Sequence, residues 1–281
     1  MRLGLHVSSA GKIFMAPDRA QEMGCECLQM FVGSPRGWAK ASFTDDDLAE
    51  FRKRATDQGI SPIIIHASYL INLASGNSDL RHTSADKLLE TLHIAQKVGA
   101  SDVVFHIGSH QGDGTEAGFD RLKSALSIVL QSSEDTRITL EPGAGGGNQI
   151  GSTLDELAAL IAYLTPSERF AVCLDTAHMF AAGIDVTNPE TFDKFVSDFD
   201  KKIGLNKLTV LHLNDSQATL GSHWDRHDNI GDGNLGLDTF RHILNHSRLQ
   251  HLPAIMETPG FEKPLSNSKN IEVMKSLRET T

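Results

Sequence analysis

The stretch from Leu211 to His227, LHLNDSQATLGSHWDRH, holds three groups able to bind a hard or borderline metal: His212, Asp225 and His227. His212 sits in the alternating apolar run 208–213, which reads as a short buried strand. Asp225 and His227 are two apart in a segment with no helical pattern. Residues i and i+2 of an extended segment point the same way, so one cation could take both. A lone strand histidine is usually a satisfied core residue, so the rest of the chain has to decide.

Five other apolar runs end in the same way. Taken with His212, the runs finish at His66, His106, Glu141, Asp175, His212 and Glu257, spaced 34 to 45 residues apart. Each step is about one βα unit. Asp175-Thr-Ala-His178 adds a histidine just past its strand, expected in the following loop. With Asp225 and His227 the inventory is five histidines and four carboxylates. One four-coordinate metal takes about three or four protein ligands. Nine ligands therefore imply two or three ions, some bridged by a carboxylate. Mixed histidine and carboxylate donors without cysteine suit Zn²⁺ or Mn²⁺. His82, His93, His242, His246 and His251 fall on helices or their flanks and read as packing or surface residues. His6, His110 and His223 fall near the expected site, as partners of the ligands or as plain loop residues.

The elements that must position these groups alternate strictly. Strands are expected at 2–7, 27–32, 62–66, 102–107, 137–141, 170–175, 208–213 and 253–257. Helices are expected at 16–23, 44–57, 79–98, 115–130, 153–163, 189–200, 237–245 and 267–279. Thr44 with acid at 45 to 47, and Thr153 with Glu156, read as helix starts. The strands are mostly continuous apolar runs, as in sheets covered on both faces. No linker or low-complexity tract divides the chain. The reading is one (β/α)₈ TIM barrel over residues 1–281, with the site at the C-terminal strand ends, where such barrels build active sites.

Composition bounds the rest. The 281 residues are 40% hydrophobic and 22% charged, ordinary for a soluble protein. No apolar run reaches membrane-spanning length and no signal-peptide core follows Met1, so a cytoplasmic protein with no membrane partner is expected. Cys25, Cys27 and Cys173 make an odd set with no disulfide framework. The net charge of −10 argues against indiscriminate binding to nucleic acid through a basic surface. Bound divalent ions would reverse the sign locally.

These motifs carry a family resemblance over nearly the whole chain, from Gly4-Leu-His-Val-Ser to Glu257-Thr-Pro259. The chain resembles endonuclease IV, the zinc-dependent apurinic/apyrimidinic (AP) endonuclease family. The segments His66-Ala-Ser-Tyr-Leu-Ile-Asn-Leu73, Phe105-His-Ile-Gly-Ser-His110, Cys173-Leu-Asp-Thr-Ala-His178 and His212-Leu-Asn-Asp-Ser216 with Asp225-Arg-His227 are similar to its signatures. The resemblance implies three zinc ions, with Mn²⁺ able to substitute at one. His66 and His106 would hold the first, Glu141 would bridge to the second, Asp175, His212 and Glu257 would complete the second, and His178, Asp225 and His227 would hold the third. The implied substrate is double-stranded DNA containing abasic sites, bound by a monomer, with Arg36, Tyr69 and Leu70 entering the duplex. The expected reaction is hydrolysis of the phosphodiester 5′ to the abasic site by a zinc-bound hydroxide, leaving a 3′-hydroxyl and a 5′-deoxyribose phosphate. Glu141 would fix the spacing and orient the nucleophile, and 3′-end cleaning is an accompanying activity. Three positions depart from the family pattern: Pro142-Gly143 for Asn-Thr, Ile107 for Pro and Gln217 for a basic residue. None is an expected ligand. The rival reading is a sugar isomerase or epimerase on the same barrel with one or two metals, which leaves His178, Asp225 and His227 unexplained.

Overall fold

The computed structural model describes residues 1–131, 133, 136–164, 167–260 and 267–279. Eight parallel strands close into a barrel: β1 (Arg2–His6), β2 (Cys27–Phe31), β3 (Ile63–His66), β4 (Asp102–His106), β5 (Arg137–Glu141), β6 (Phe170–Asp175), β7 (Leu208–His212) and, after a two-strand excursion, β10 (Pro253–Met256), which pairs with both β7 and β1. The excursion is the antiparallel pair β8 (Asp215–Ser216) and β9 (His227–Asp228). Helices α1 (Ala16–Glu22), α2 (Asp45–Asp57), α3 (Ser78–Val98), α4 (Thr115–Gln131), α5 (Leu154–Tyr163), α7 (Pro189–Lys202), α8 (Leu237–Asn245) and α9 (Ser268–Leu277) fill the connections. Each expected strand and helix is present within a few residues of its expected bounds.

Local chemistry accounts for several helix ends. Thr44 caps α2 with a full capping box, its hydroxyl accepting from Asp47 N while Asp47 returns to Thr44 N. Thr153 accepts from Glu156 N, but the Glu156 carboxylate turns to Gly151 N, so only half of a capping box forms. The turn after α3 needs a left-handed residue, and Gly99 supplies it with φ of 76°.

The barrel interior is layered by the period-two alternation of strands. At the N-terminal end, the Asp102 carboxylate accepts from Arg137, Ser101, Thr139 and Thr209. The middle layer is apolar and compact: Cys27, Ile64, Val104, Cys173, Val210 and Ile255. Gly4 belongs at this level because a Cβ there would lie 2.3 Å from the Cys27 carbonyl oxygen. The larger core fills the space between barrel and helices around Phe51, Phe105, Phe170, Phe199 and Phe240. All three cysteines are buried and free. No described helix is long and apolar enough to cross a membrane.

Candidate metal centre

Two residues beyond the middle layer, every strand presents a polar side chain: His6, Gln29, His66, His106, Glu141, Asp175, His212 and Glu257. They form one connected ring. Glu141 is fully buried and meets four imidazoles: His212 Nδ1 at 2.9 Å, His66 Nε2 at 3.1 Å, His106 Nε2 at 3.4 Å and His178 Nδ1 at 3.5 Å. His212 Nδ1 also faces Glu257 at 3.5 Å and Asp175 at 3.8 Å. Donor atoms converge closely enough for one cation in several sets, including His66 with His106 and Glu141, Glu141 with Asp175, His212 and Glu257, and Asp175 with His178 and His227.

His178 is not in a loop. It lies on α6 (Thr176–Ala181), a helix absent from the sequence reading. Asp175 starts that helix, its Oδ1 accepting from Ala177 N at 2.7 Å and His178 N at 3.1 Å. The six-residue helix is too short to leave a periodic signal. Asp225 precedes β9 and reaches His178 Nε2 at 3.2 Å and His227 Nε2 at 3.3 Å. Asp225 and His227 therefore face α6 through His178, whose ring lies 5.6 Å from that of His106.

The outward nitrogens of the imidazoles are tied down. His66 Nδ1 donates to Ala67 O at 2.7 Å, His178 Nδ1 to Pro142 O at 3.1 Å, and His227 Nδ1 to Glu257 O at 3.3 Å. His212 Nε2 donates to Gln29 Oε1 at 2.9 Å. A bond of this kind fixes the tautomer and leaves the other nitrogen's lone pair for a cation. His227 Nε2 is the clearest case: it is buried with no hydrogen bond of good geometry, beside Asp225 and Asp175.

The electrostatics demand positive charge. Among the described residues, every ion pair made by Glu141, Asp175, Asp225 and Glu257 is with a histidine. Burial works against charge on His178, yet Asp175, Asp225 and Glu141 outweigh it and push its pKa up to about 10. His227 is likewise disfavoured by burial but driven up to about 9, chiefly by Asp175 and Asp225. His106 goes the other way, where burial dominates and takes it down to about 4. Burial would raise the carboxyls of Asp225 and Glu257, but facing imidazoles hold both far below the usual range. Protons here stand where divalent cations would supply the same charge, and the donor types suit zinc.

Sequence reasoning missed Gln29 and Asn214. Gln29 Nε2 donates to Glu257 Oε1 at 2.7 Å, and Asn214 Nδ2 donates to Asp175 Oδ2 at 2.6 Å while its Oδ1 accepts from Glu257 N. A polar residue two positions past a small middle-layer residue was the available signal for Gln29. His6 joins the ring through Glu257 at 3.2 Å, and His223 pins its loop through Ala144 O. His110 Nδ1 accepts from Gly112 N and Gly114 N, a loop role. Arg36 and Tyr69 are exposed at the mouth with Leu70 half-buried beside them. Their loops are joined, since Pro35 O accepts from Tyr69 N and Ser68 Oγ. The Tyr69 ring packs 5.4 Å from His66 and 5.5 Å from His106.

Fold and donor set together define a (β/α)₈ barrel whose mouth gathers several clusters of potential metal ligands. A family model described as a xylose isomerase-like TIM barrel matches residues 17–279. The probable endonuclease 4 of Halothermothrix orenii is 38% identical over 279 residues, covering 99% of each chain. The crystal structure of endonuclease IV from Thermus thermophilus matches with a TM-score of 0.87 at 32% identity, covering 99% of this chain and 98% of that one. The chain belongs to the endonuclease IV family. The E. coli 3-keto-D-glucoside 4-epimerase, at 14% identity, shares the fold with a TM-score of 0.69 over 98% of this chain and 99% of its own.

Proposed function

We propose that this protein is a zinc-dependent AP endonuclease that hydrolyses the phosphodiester 5′ to an abasic site in duplex DNA, leaving a 3′-hydroxyl and a 5′-deoxyribose phosphate. The observation that carries the reading is the trio of His178 on α6 with Asp225 and His227 beside the strand-end ring. A one- or two-metal sugar isomerase on this barrel has no use for that third donor group. The full-length likeness to endonuclease 4 relatives supports the same reading.

The ligand assignment is the one the family resemblance implies. The convergence of donor atoms at His66, His106 and Glu141 and at Glu141, Asp175, His212 and Glu257 supports it, while Asp175 also approaches His178 and His227. His66, His106 and Glu141 would hold one zinc; Glu141, Asp175, His212 and Glu257 a second; His178, Asp225 and His227 a third. Zinc held there would supply charge neutralisation for phosphoryl oxygens and would make a nearby water acidic enough to ionise near neutral pH. Glu141 belongs to two donor groups, so it sets their spacing and orients the attacking water. Gln29, Ala67, Pro142 and the Glu257 carbonyl hold the imidazoles in the tautomers this requires. Tyr69 and Leu70, with Arg36 from the adjoining loop, fill the space left when the abasic sugar leaves the stack. The whole chain acts as one domain and as a monomer in the cytoplasm, and 3′-end cleaning uses the same site.

A duplex carrying one tetrahydrofuran abasic analogue tests the reading. It should be nicked on the 5′ side, be spared after chelation, and be nicked again after zinc is restored. Metal analysis should give near three zincs per chain. An intact duplex with excess zinc-loaded protein, or one Mn²⁺ or Mg²⁺ with sugar isomerase activity, would refute it.

A further inference from the structure

Residues 219–226, between β8 and β9, are exposed throughout, yet their backbone is held in place. Gly221 N donates to Phe180 O at 3.1 Å and His223 N to Ala181 O at 2.9 Å, both on α6. His223 Nδ1 donates to Ala144 O at 3.0 Å, in the loop that follows Glu141. His223 has φ of 56°, a left-handed conformation unfavourable for a residue with a side chain. That strain is spent one residue before Trp224, whose side chain is left 53% exposed and contributes to no core cluster. The next residue, Asp225, faces His178 and His227.

The barrel order adds a direction. Three strands separate β3 from β7 whichever way the closed sheet is followed, so the two stand diametrically opposed. Tyr69 and Leu70 follow β3, and Trp224 lies in the excursion that follows β7. The excursion does not stay over β7, however: its bonds to Phe180, Ala181 and Ala144 seat Trp224 over the loops that follow β5 and β6, while the wedge sits on the loop that follows β3. Trp224 thus reaches the mouth from a different loop than the wedge, next to Asp225 and the His178 and His227 it faces.

We propose that Trp224 is a stacking contact for a nucleobase of the damaged strand beside the extrahelical abasic sugar. A flat apolar ring held out by a strained, anchored loop suits a base face, because every base offers one and stacking tolerates any sequence. The inference rests on the AP-endonuclease reading, adds a residue to it, and predicts little dependence on the identity of the flanking base.

The test uses zinc-loaded full-length protein and a tetrahydrofuran duplex with a non-hydrolysable 5′ linkage. Trp224→Ala should bind it about 5- to 100-fold more weakly, with zinc content unchanged, and Trp224→Phe should recover most of the loss. The chain has two tryptophans, so Trp38→Phe leaves Trp224 as sole reporter, and its fluorescence should be quenched by the abasic duplex. Wild-type affinity in Trp224→Ala, no recovery with Phe, absent quenching, or loss of zinc would each overturn the stacking role. A wild-type protein that fails to nick the cleavable duplex would instead bring down the functional reading itself.

Discussion

Replacing Gln29 by Leu should release one zinc in preference to the others. Gln29 is fully buried, and its amide bonds two groups assigned to the same ion: its oxygen accepts from His212 Nε2 at 2.9 Å, and its nitrogen donates to Glu257 at 2.7 Å. Leu has nearly the same volume, so packing is kept while both bonds go. His212 Nε2–H is then buried without its acceptor, a penalty of about 1–3 kcal/mol. Loss of one partner behind a metal ligand costs about 10- to 100-fold in affinity. Two ligands of one ion are affected here, so the upper part of that range applies, near 2.7 kcal/mol. The assay titrates loaded protein with a chromophoric chelator and follows stepwise zinc release. One of three zincs should leave about 30- to 100-fold more readily, with the other two within about threefold of wild type. Unchanged release of all three would refute the argument. So would an equal shift of all three, because that reports general loosening of the barrel and not a contact behind one ion.

His66→Ala should lose zinc and activity yet keep a cooperative unfolding transition; full activity would remove His66 from the site. Tyr69→Ala should weaken abasic-duplex binding while zinc content holds, and the reverse pattern would contradict its wedge role. Asp102→Ala strips the barrel floor of its shared acceptor, which is 1% exposed, while its partner Arg137 is 41% exposed at the side chain. Part of that pair is screened by solvent, so we place the loss at about 3 kcal/mol in urea unfolding, and a loss under about 1 kcal/mol would refute it. Burial pushes the Asp102 carboxyl up, but Arg137 and the hydroxyls of Ser101 and Thr139 outweigh it and hold it below its usual value. Its stabilisation is therefore present above the unfolded value of about 3.9 and disappears as pH falls through the folded one. The gap between wild type and variant should close in acid; a constant gap would contradict the assignment.

The barrel was legible because its strands are apolar runs ended by a polar residue, at spacings of one βα unit. Six residues marked the mouth because histidine and carboxylate are costly at the end of a buried strand unless paired, and His178, Asp225 and His227 stood out only by their closeness to those ends in sequence. What stayed hidden has physical reasons. Gln29 is neutral and sits inside an apolar run, so type alone does not distinguish it from a packing residue. Asn214 follows its strand in a stretch whose direction depends on how β8 and β9 pair. Helix α6 owes its existence to one capping carboxylate and has too few residues for periodicity. The division of Glu156 between Thr153 and Gly151 depends on a loop conformation that residue type does not encode. Pro142, a departure from the family pattern, contributes through its carbonyl, which any residue carries.

Asp175 uses its two oxygens for different ends. Oδ1 starts the helix that carries His178, and Oδ2 looks toward His212 and His227. The position is thus constrained twice, once by architecture and once by chemistry. A chain drifting under mutation has few exits from it: serine or asparagine could keep the helix start but would surrender the charge, and glutamate would keep the charge but place it one methylene too far. Such a residue couples inheritance of the scaffold to inheritance of the activity. Asp175→Asn offers a way to separate the two, keeping α6 in place while removing the anionic donor.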